Sequence, residues 1–172
     1  MTATKDRVLE ELIRNEWPKL RRFFRTKVAD ADVLDLVQQT MLGFVEGRAR
    51  ATGGERAYLW GIARLQVLKH YDKHRASTPF DSALHTAMDL GPTFSSRLDG
   101  RTRLLRALHT LPVDHQMAFE LRHGEELPLE EVAAAIGVSL ATVKRYLTAA
   151  EGKLRAELGA EASGARDAYT KL

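Results

Sequence analysis

The chain of 172 residues contains no cysteine. That excludes disulfides, thiolate metal sites and thiol redox sensing within it, and makes a reducing, cytoplasmic compartment the expected one. No apolar run approaches the ~20 residues of a membrane-spanning helix. The opening M-T-A-T-K-D-R-V-L-E-E-L puts charges where a signal peptide needs an apolar core, so no cleaved leader is expected. Strand-period alternation is missing throughout. Also missing are a phosphate-binding glycine loop, a nucleophile elbow and a paired-carboxylate setting, so an enzyme is not expected. Of the six histidines, His70 and His74 form an i, i+4 pair for which the sequence offers no third ligand. His109, His115 and His123 lack metal-motif spacing. No metal and no cofactor are expected.

What is present is helical. Apolar residues make up 44% of the chain and charged residues 28%, a balance that supports a folded core rather than disorder. The net charge of +3 permits a nucleic-acid partner without requiring one. Val8, Leu12, Leu20, Phe23 and Phe24 have helical spacing over 4–27, with Pro18 expected to kink that segment or start a second helix. A helix is expected over 31–47 with Leu34, Val37, Met41, Leu42 and Val45 as its apolar stripe. After a glycine-containing loop, Arg48 to Gly54, a third helix is expected over 55–76. The stretch S-T-P-F-D-S-A-L-H-T-A-M-D-L-G-P-T-F-S-S breaks all periodicity and reads as a linker. Helices resume over 98–110, 113–123, 129–136 and 139–158. The expected architecture is all-α: two small helical domains, 1–76 and 98–158, joined by a flexible linker, 77–97, and followed by a tail, 159–172.

The second domain contains the mechanics of a helix-turn-helix. The short segment L-E-E-V-A-A-A-I ends at Gly137, a residue free to take the positive φ of a tight helix end. Ser139 is placed to cap the next helix. In that helix Val143, Leu147, Ala150 and Leu154 recur at steps of four, three and four, which makes them its packing face. The opposite side carries Ala141, Arg145 and Thr148, flanked by Thr142 and Lys144. Small residues allow the backbone close to a major groove, where hydroxyl and guanidinium groups reach base edges and basic groups reach phosphates. This pattern points to DNA. It does not separate a repressor or activator from an initiation factor.

Four blocks then resemble one family in order. They are L-P-x-x-x-x-x-x-F-x-L-R from Leu111 to Arg122, E-E-V-A from Glu130, G-V-S-x-x-T-V-K-x-x-L from Gly137, and K-L at Lys153. Together they resemble region 4 of bacterial sigma-70 factors. In the first domain, D-L-V-Q-Q-T-M-L from Asp35 and A-Y-L-W-G-I-A-R from Ala57 are similar to region 2 signatures of the same family. The length suits the two-domain extracytoplasmic-function group. Leu65 stands where that group commonly has Asn, and Ala149, Ala150 and Glu151 stand where it often has Arg-Ala-Arg.

The resemblance implies a cytoplasmic, promoter-specific subunit of RNA polymerase that binds core enzyme, reads −35 and −10 elements and melts DNA. It implies −35 contacts from Arg122, Ser139, Ala141, Thr142, Lys144, Arg145 and Thr148. For the −10 strand it implies Arg48, Arg50, Arg56, Tyr58, Trp60, Arg64, Lys69 and Lys73, a basic and aromatic mixture suited to single strands. The second helix carries Asp30, Asp32, Asp35 and Glu46 with no Lys or Arg between Val28 and Gly47, a face that repels DNA and suits a basic protein. Here the resemblance implies core-polymerase contacts from Asp32, Asp35, Leu36, Gln38, Gln39 and Leu42. An anti-sigma factor is a further implied partner. The alternative reading is a self-contained helix-turn-helix regulator with an N-terminal sensor or dimerisation domain.

Overall fold

Residues 2–75 and 97–159 are described by the computed structural model, and among them every regular element is helical. The helices are α1 (Thr2–Arg25), α2 (Asp30–Gly47), α3 (Glu55–Arg75), α4 (Arg97–His109), α5 (Val113–Phe119), α6 (Leu129–Ile136) and α7 (Leu140–Leu158). A 3₁₀ turn, Arg48–Arg50, follows α2, and a wider π-type turn, Glu120–Gly124, follows α5. The chain divides into two compact units, Met1–Thr86 and Ala87–Leu172. The expected linker and tail lie almost wholly outside the described residues. None of the described helices is long and apolar enough to cross a membrane.

In the first unit three helices close around an aromatic core. Leu20, Phe23 and Phe24 of α1, Val37 and Phe44 of α2, and Leu59, Trp60 and Val67 of α3 are all fully buried. Phe23 meets Phe24 and Trp60 edge-on, with ring centroids 5.4 and 5.3 Å apart. Edge-to-face pairs add roughly 0.5–1.5 kcal/mol to the burial itself. The helix α1 runs through Pro18 as one element, so no second helix starts there. The packing of Leu20, Phe23 and Phe24 beyond Pro18 holds the last two turns against the core and offsets the backbone bond that proline removes.

The apolar stripe expected on α2 is also corrected. Val33, Leu36, Val37, Met41 and Phe44 face the core, while Leu34, Leu42 and Val45 are 51%, 60% and 45% exposed. Two apolar stripes coexist on this helix, and the neighbouring helices cover only one. Against that inner face α3 runs antiparallel, with Gly43 beside Ile62 and Gly47 beside Tyr58.

A buried carboxylate joins α1 to α3. Glu16 is 4% exposed and accepts hydrogen bonds from Trp60 Nε1 at 3.0 Å, Arg56 Nε at 3.1 Å and Lys19 Nζ at 2.9 Å. Both oxygens are thereby used, which is what keeps a desolvated carboxylate tolerable. A second buried charge, Lys27, lies with its Nζ 3.8 Å from the centre of the Phe23 ring, 3.1 Å from Thr26 Oγ1 and 3.4 Å from the Phe23 carbonyl. Tyr71 donates to the Lys27 carbonyl and so anchors α3 to the turn after α1.

In the second unit α7 is the central element. Leu104, Ala107, Leu108 and Leu111 from α4 and the turn after it pack with Phe119 against Ala150, Leu154 and Leu158, and Leu147 closes one side. The turn after α4 is tied to α7 by polar contacts as well. Lys153 donates to the Thr110 carbonyl at 2.6 Å, and Thr110 Oγ1 lies 3.0 Å from Glu157 Oε1.

Replacing Glu16 by Ala is expected to lower the stability of the first unit by about 2–3 kcal/mol, since it strands the Trp60 N–H and two cations. Both tryptophans, Trp17 and Trp60, belong to that unit, so urea unfolding followed by tryptophan fluorescence reads it directly. An unchanged midpoint would remove Glu16 from the forces holding α1 on α3.

Candidate nucleic-acid interface

The turn between α6 and α7 forms as its residues dictate. Gly137 takes φ 78° and ψ 36°, the left-handed conformation that glycine adopts without strain. The N–H groups of Gly137 and Val138 converge on the Ala133 carbonyl at 2.9 and 3.1 Å, ending α6 within one residue. Ser139 then accepts from the Thr142 N–H at 3.2 Å and caps α7. Val143, Ala150 and Leu154 are buried with Leu147 beside them, as their spacing requires.

This leaves the other side of α7 to solvent. Ser139, Ala141, Lys144, Arg145 and Thr148 are exposed and Thr142 is half-buried. Ser139 Oγ, Thr142 Oγ1 and Arg145 Nη2 form a chain, with steps of 2.9 and 3.2 Å. The chain orients the Arg145 guanidinium along the first turns of the helix and lowers the entropy it loses on meeting a ligand. Thr148 donates to the Lys144 carbonyl at 3.0 Å, so its hydroxyl proton is used within the helix and its oxygen keeps only acceptor capacity. Arg122 is exposed but has a structural task, donating from Nη1 to the Leu127 carbonyl at 3.0 Å and bracing the loop into α6. Glu151 lies 3.2 Å from His123 Nε2, so the acid at that position is engaged within the domain.

The first unit divides the remaining expected contacts. Arg50, Lys69 and Lys73 are exposed, and Arg48, Tyr58 and Arg64 are half-buried. Tyr58 is seated by its neighbours: its ring lies 6.3 Å from that of Phe44, and a Cβ on Gly47 would overlap its hydroxyl. Gly47 therefore sets where the tyrosine ring stands. Two expectations are corrected. Trp60 is fully buried with its N–H on Glu16, so its ring offers no face to a base. Arg56 is half-buried and its Nε is engaged by the same carboxylate, so its first role is in the fold.

On α2, Asp35, Gln38, Gln39 and Leu42 are exposed, and Gln39 Nε2 lies 2.6 Å from Asp35 Oδ2. Leu36 is 6% exposed and belongs to the core, a third correction. Leu34 and Val45 join Leu42 on the outer face, and the signal for them was present as a second apolar stripe. The histidine pair is corrected as well. Asp32 of α2 comes within reach of His70 and His74, the three ligand atoms lying within 4.8 Å of one another. Burial pushes the His70 imidazole below the usual histidine range, His74 and Lys73 act in the same direction, and Asp32 opposes them.

Comparison with known proteins gives consistent matches. Residues 101–154 match the family described as sigma-70, region 4. The chain is 31% identical over 162 residues to the RNA polymerase sigma-E factor of Streptomyces coelicolor, covering 91% of this chain and 89% of that protein. It is 30% identical over 151 residues to the sigma-E factor of Streptomyces avermitilis, covering 87% and 84%. RNA polymerase sigma factor HrpL of Pseudomonas syringae is 23% identical over 160 residues, covering 87% and 86%. The fold is shared with the sigma factor RpoE of Bartonella quintana, crystallised with the anti-sigma factor NepR, at TM-score 0.70 and 21% identity over 88% of this chain and 97% of that one.

Gly137→Ala is expected to destabilise the second unit by about 1 kcal/mol or slightly more, because a Cβ at this positive φ is strained although the space around it is open. Thermal unfolding by circular dichroism measures the loss. A variant as stable as the parent would mean that the turn does not need the left-handed residue.

Proposed function

The chain belongs to the extracytoplasmic-function group of the bacterial sigma-70 family and is an RNA polymerase sigma factor, and from that premise we propose a division of labour between its two helical units. The first docks on core RNA polymerase through the outer face of α2 and holds the −10 strand with α3 and the loop before it. The second reads the −35 duplex with α7.

The observation that carries the docking assignment is the outer face of α2. Of the five exposed large apolar side chains among the described residues, Leu34, Leu42 and Val45 share this one face. Grouped exposure of this kind marks a protein interface. Asp35, Gln38, Gln39 and Glu46 surround it, so its charge complements a basic partner and repels DNA. Asp32 lies at the edge of the same helix, half-buried.

For the −35 element, the cap-linked Arg145 supports a contact to a base edge or phosphate, with Lys144 on phosphate and Ala141, Thr142 and Thr148 at the groove floor. Ser139 and Arg122 hold the helix and its approach. For the −10 strand, Arg48, Arg50, Arg64, Lys69 and Lys73 track phosphates, and Tyr58 offers an aromatic face at the loop. Extruding a base costs a few kcal/mol, which such contacts must offset. The chain acts by binding, and no bond is made or broken by it. Its place of action is the cytoplasm, where polymerase and promoter DNA meet. The complex of the Bartonella sigma factor with an anti-sigma factor supports a partner of that kind for this chain.

Asp35→Arg and Leu42→Asp are each expected to weaken co-elution with core polymerase by about tenfold or more, reading ~1.4 kcal/mol per decade. Retained affinity in both would move the docking face off α2. Arg145→Ala is expected to reduce transcription from a promoter with an intact −35 element. If Arg145 meets a phosphate, the slope of log affinity against log salt for the holoenzyme falls by ~0.9. Unchanged transcription would place the reading face elsewhere.

A further inference from the structure

The antiparallel register of α2 and α3 brings the first turn of one to the last turns of the other. Asp32 therefore faces His70 and His74, and all three side chains are half-buried. An i, i+4 spacing stacks the two imidazoles on one side of α3, with ring centroids 4.0 Å apart. His74 Nδ1 lies 2.8 Å from the His70 carbonyl. A carbonyl only accepts, so Nδ1 carries the proton and Nε2 carries the lone pair of the neutral ring. A histidine that ligates a metal through Nε2 is oriented in this same way, by a backbone carbonyl on its other nitrogen.

We propose that Asp32, His70 and His74 form a binding site for a divalent transition-metal ion of the zinc class, with water completing its coordination. Two imidazoles and one carboxylate suit zinc, cobalt or nickel better than magnesium or calcium, which favour all-oxygen sets. With bonds of about 2.0–2.1 Å, ligand atoms on a tetrahedral ion stand roughly 3.3 Å apart. The three atoms, now within 4.8 Å of one another, close by about 1.5 Å at most when the ion enters, a movement within reach of side-chain rotation. The ion clamps the start of α2 to the end of α3. It also neutralises Asp32, which couples metal availability to polymerase docking. That coupling rests on the docking reading above, whereas the site itself does not.

The test uses the metal-free full-length chain without polymerase. Titration with Zn²⁺ by calorimetry, and with Co²⁺ by visible absorption, is expected to give one saturable site in the micromolar range and a rise in the thermal midpoint. Changes to outer-shell groups alone cost 10–100-fold in affinity, so His74→Gln and Asp32→Asn should each weaken binding by at least ~10-fold. His115→Gln, stacked on Tyr146 in the other unit, serves as a control and should bind like the parent. A readout that needs no folded variant is the imidazole ¹⁵N spectrum of the parent chain, in which Zn²⁺ should shift His70 and His74. No saturable binding up to millimolar Zn²⁺ overturns the proposal. So do ¹⁵N shifts confined to His109, His115 or His123, and so does equal affinity in a correctly folded His70→Gln/His74→Gln chain.

Discussion

The buried carboxylate of Glu16 is the constraint on which the first unit depends. A desolvated carboxylate persists only where donors surround it, and here Trp60, Arg56 and Lys19 supply them. Because two of the three donors stand on α3, the carboxylate fixes the rotation of α3 about its own axis as well as its distance from α1. Trp60, Ala63 and Val67 are turned inward, and Leu65 and Lys69 are turned to solvent. The residues that α3 leaves to solvent are therefore selected by an acid buried behind them.

The same rotation governs α2. Once α3 presents Tyr58 to it, α2 must offer Gly47 at the crossing, since a larger side chain there would collide with the tyrosine, while Gly43 lies in ordinary contact with Ile62. That register decides two further things. It leaves Leu34, Leu42 and Val45 on the outside, with acids and amides around them, and it carries Asp32 up to His70 and His74. An exposed apolar face ringed by acids and amides, and the approach of Asp32 to His70 and His74, are thus consequences of one helix crossing.

The second unit is governed differently. Its turn is set by local conformation, with a left-handed glycine, a serine cap and two short apolar stripes that need only each other. The cap has a second role: the hydroxyl that satisfies a backbone N–H at the start of α7 also begins the chain through Thr142 that orients Arg145. Stability of the turn and presentation of the exposed side chains of α7 come from the same few atoms. Here the sequence motif and the geometry coincide almost residue by residue.

That difference separates what the sequence by itself determined from what the tertiary structure decided. All-helical class, the helix-turn-helix, its cap, its packing face and the family resemblance depend on neighbours within a few positions, and periodicity and propensity express those directly. Which of two apolar stripes on α2 is covered, whether Trp60 faces a base or a carboxylate, and whether Leu36 is core or surface depend on residues tens of positions away. So does the third partner of the histidine pair, which belongs to another helix. A helix pattern states which faces are apolar, but the partner that covers one of them is chosen by the competition of whole helices for a common core. Only the folded arrangement resolves it.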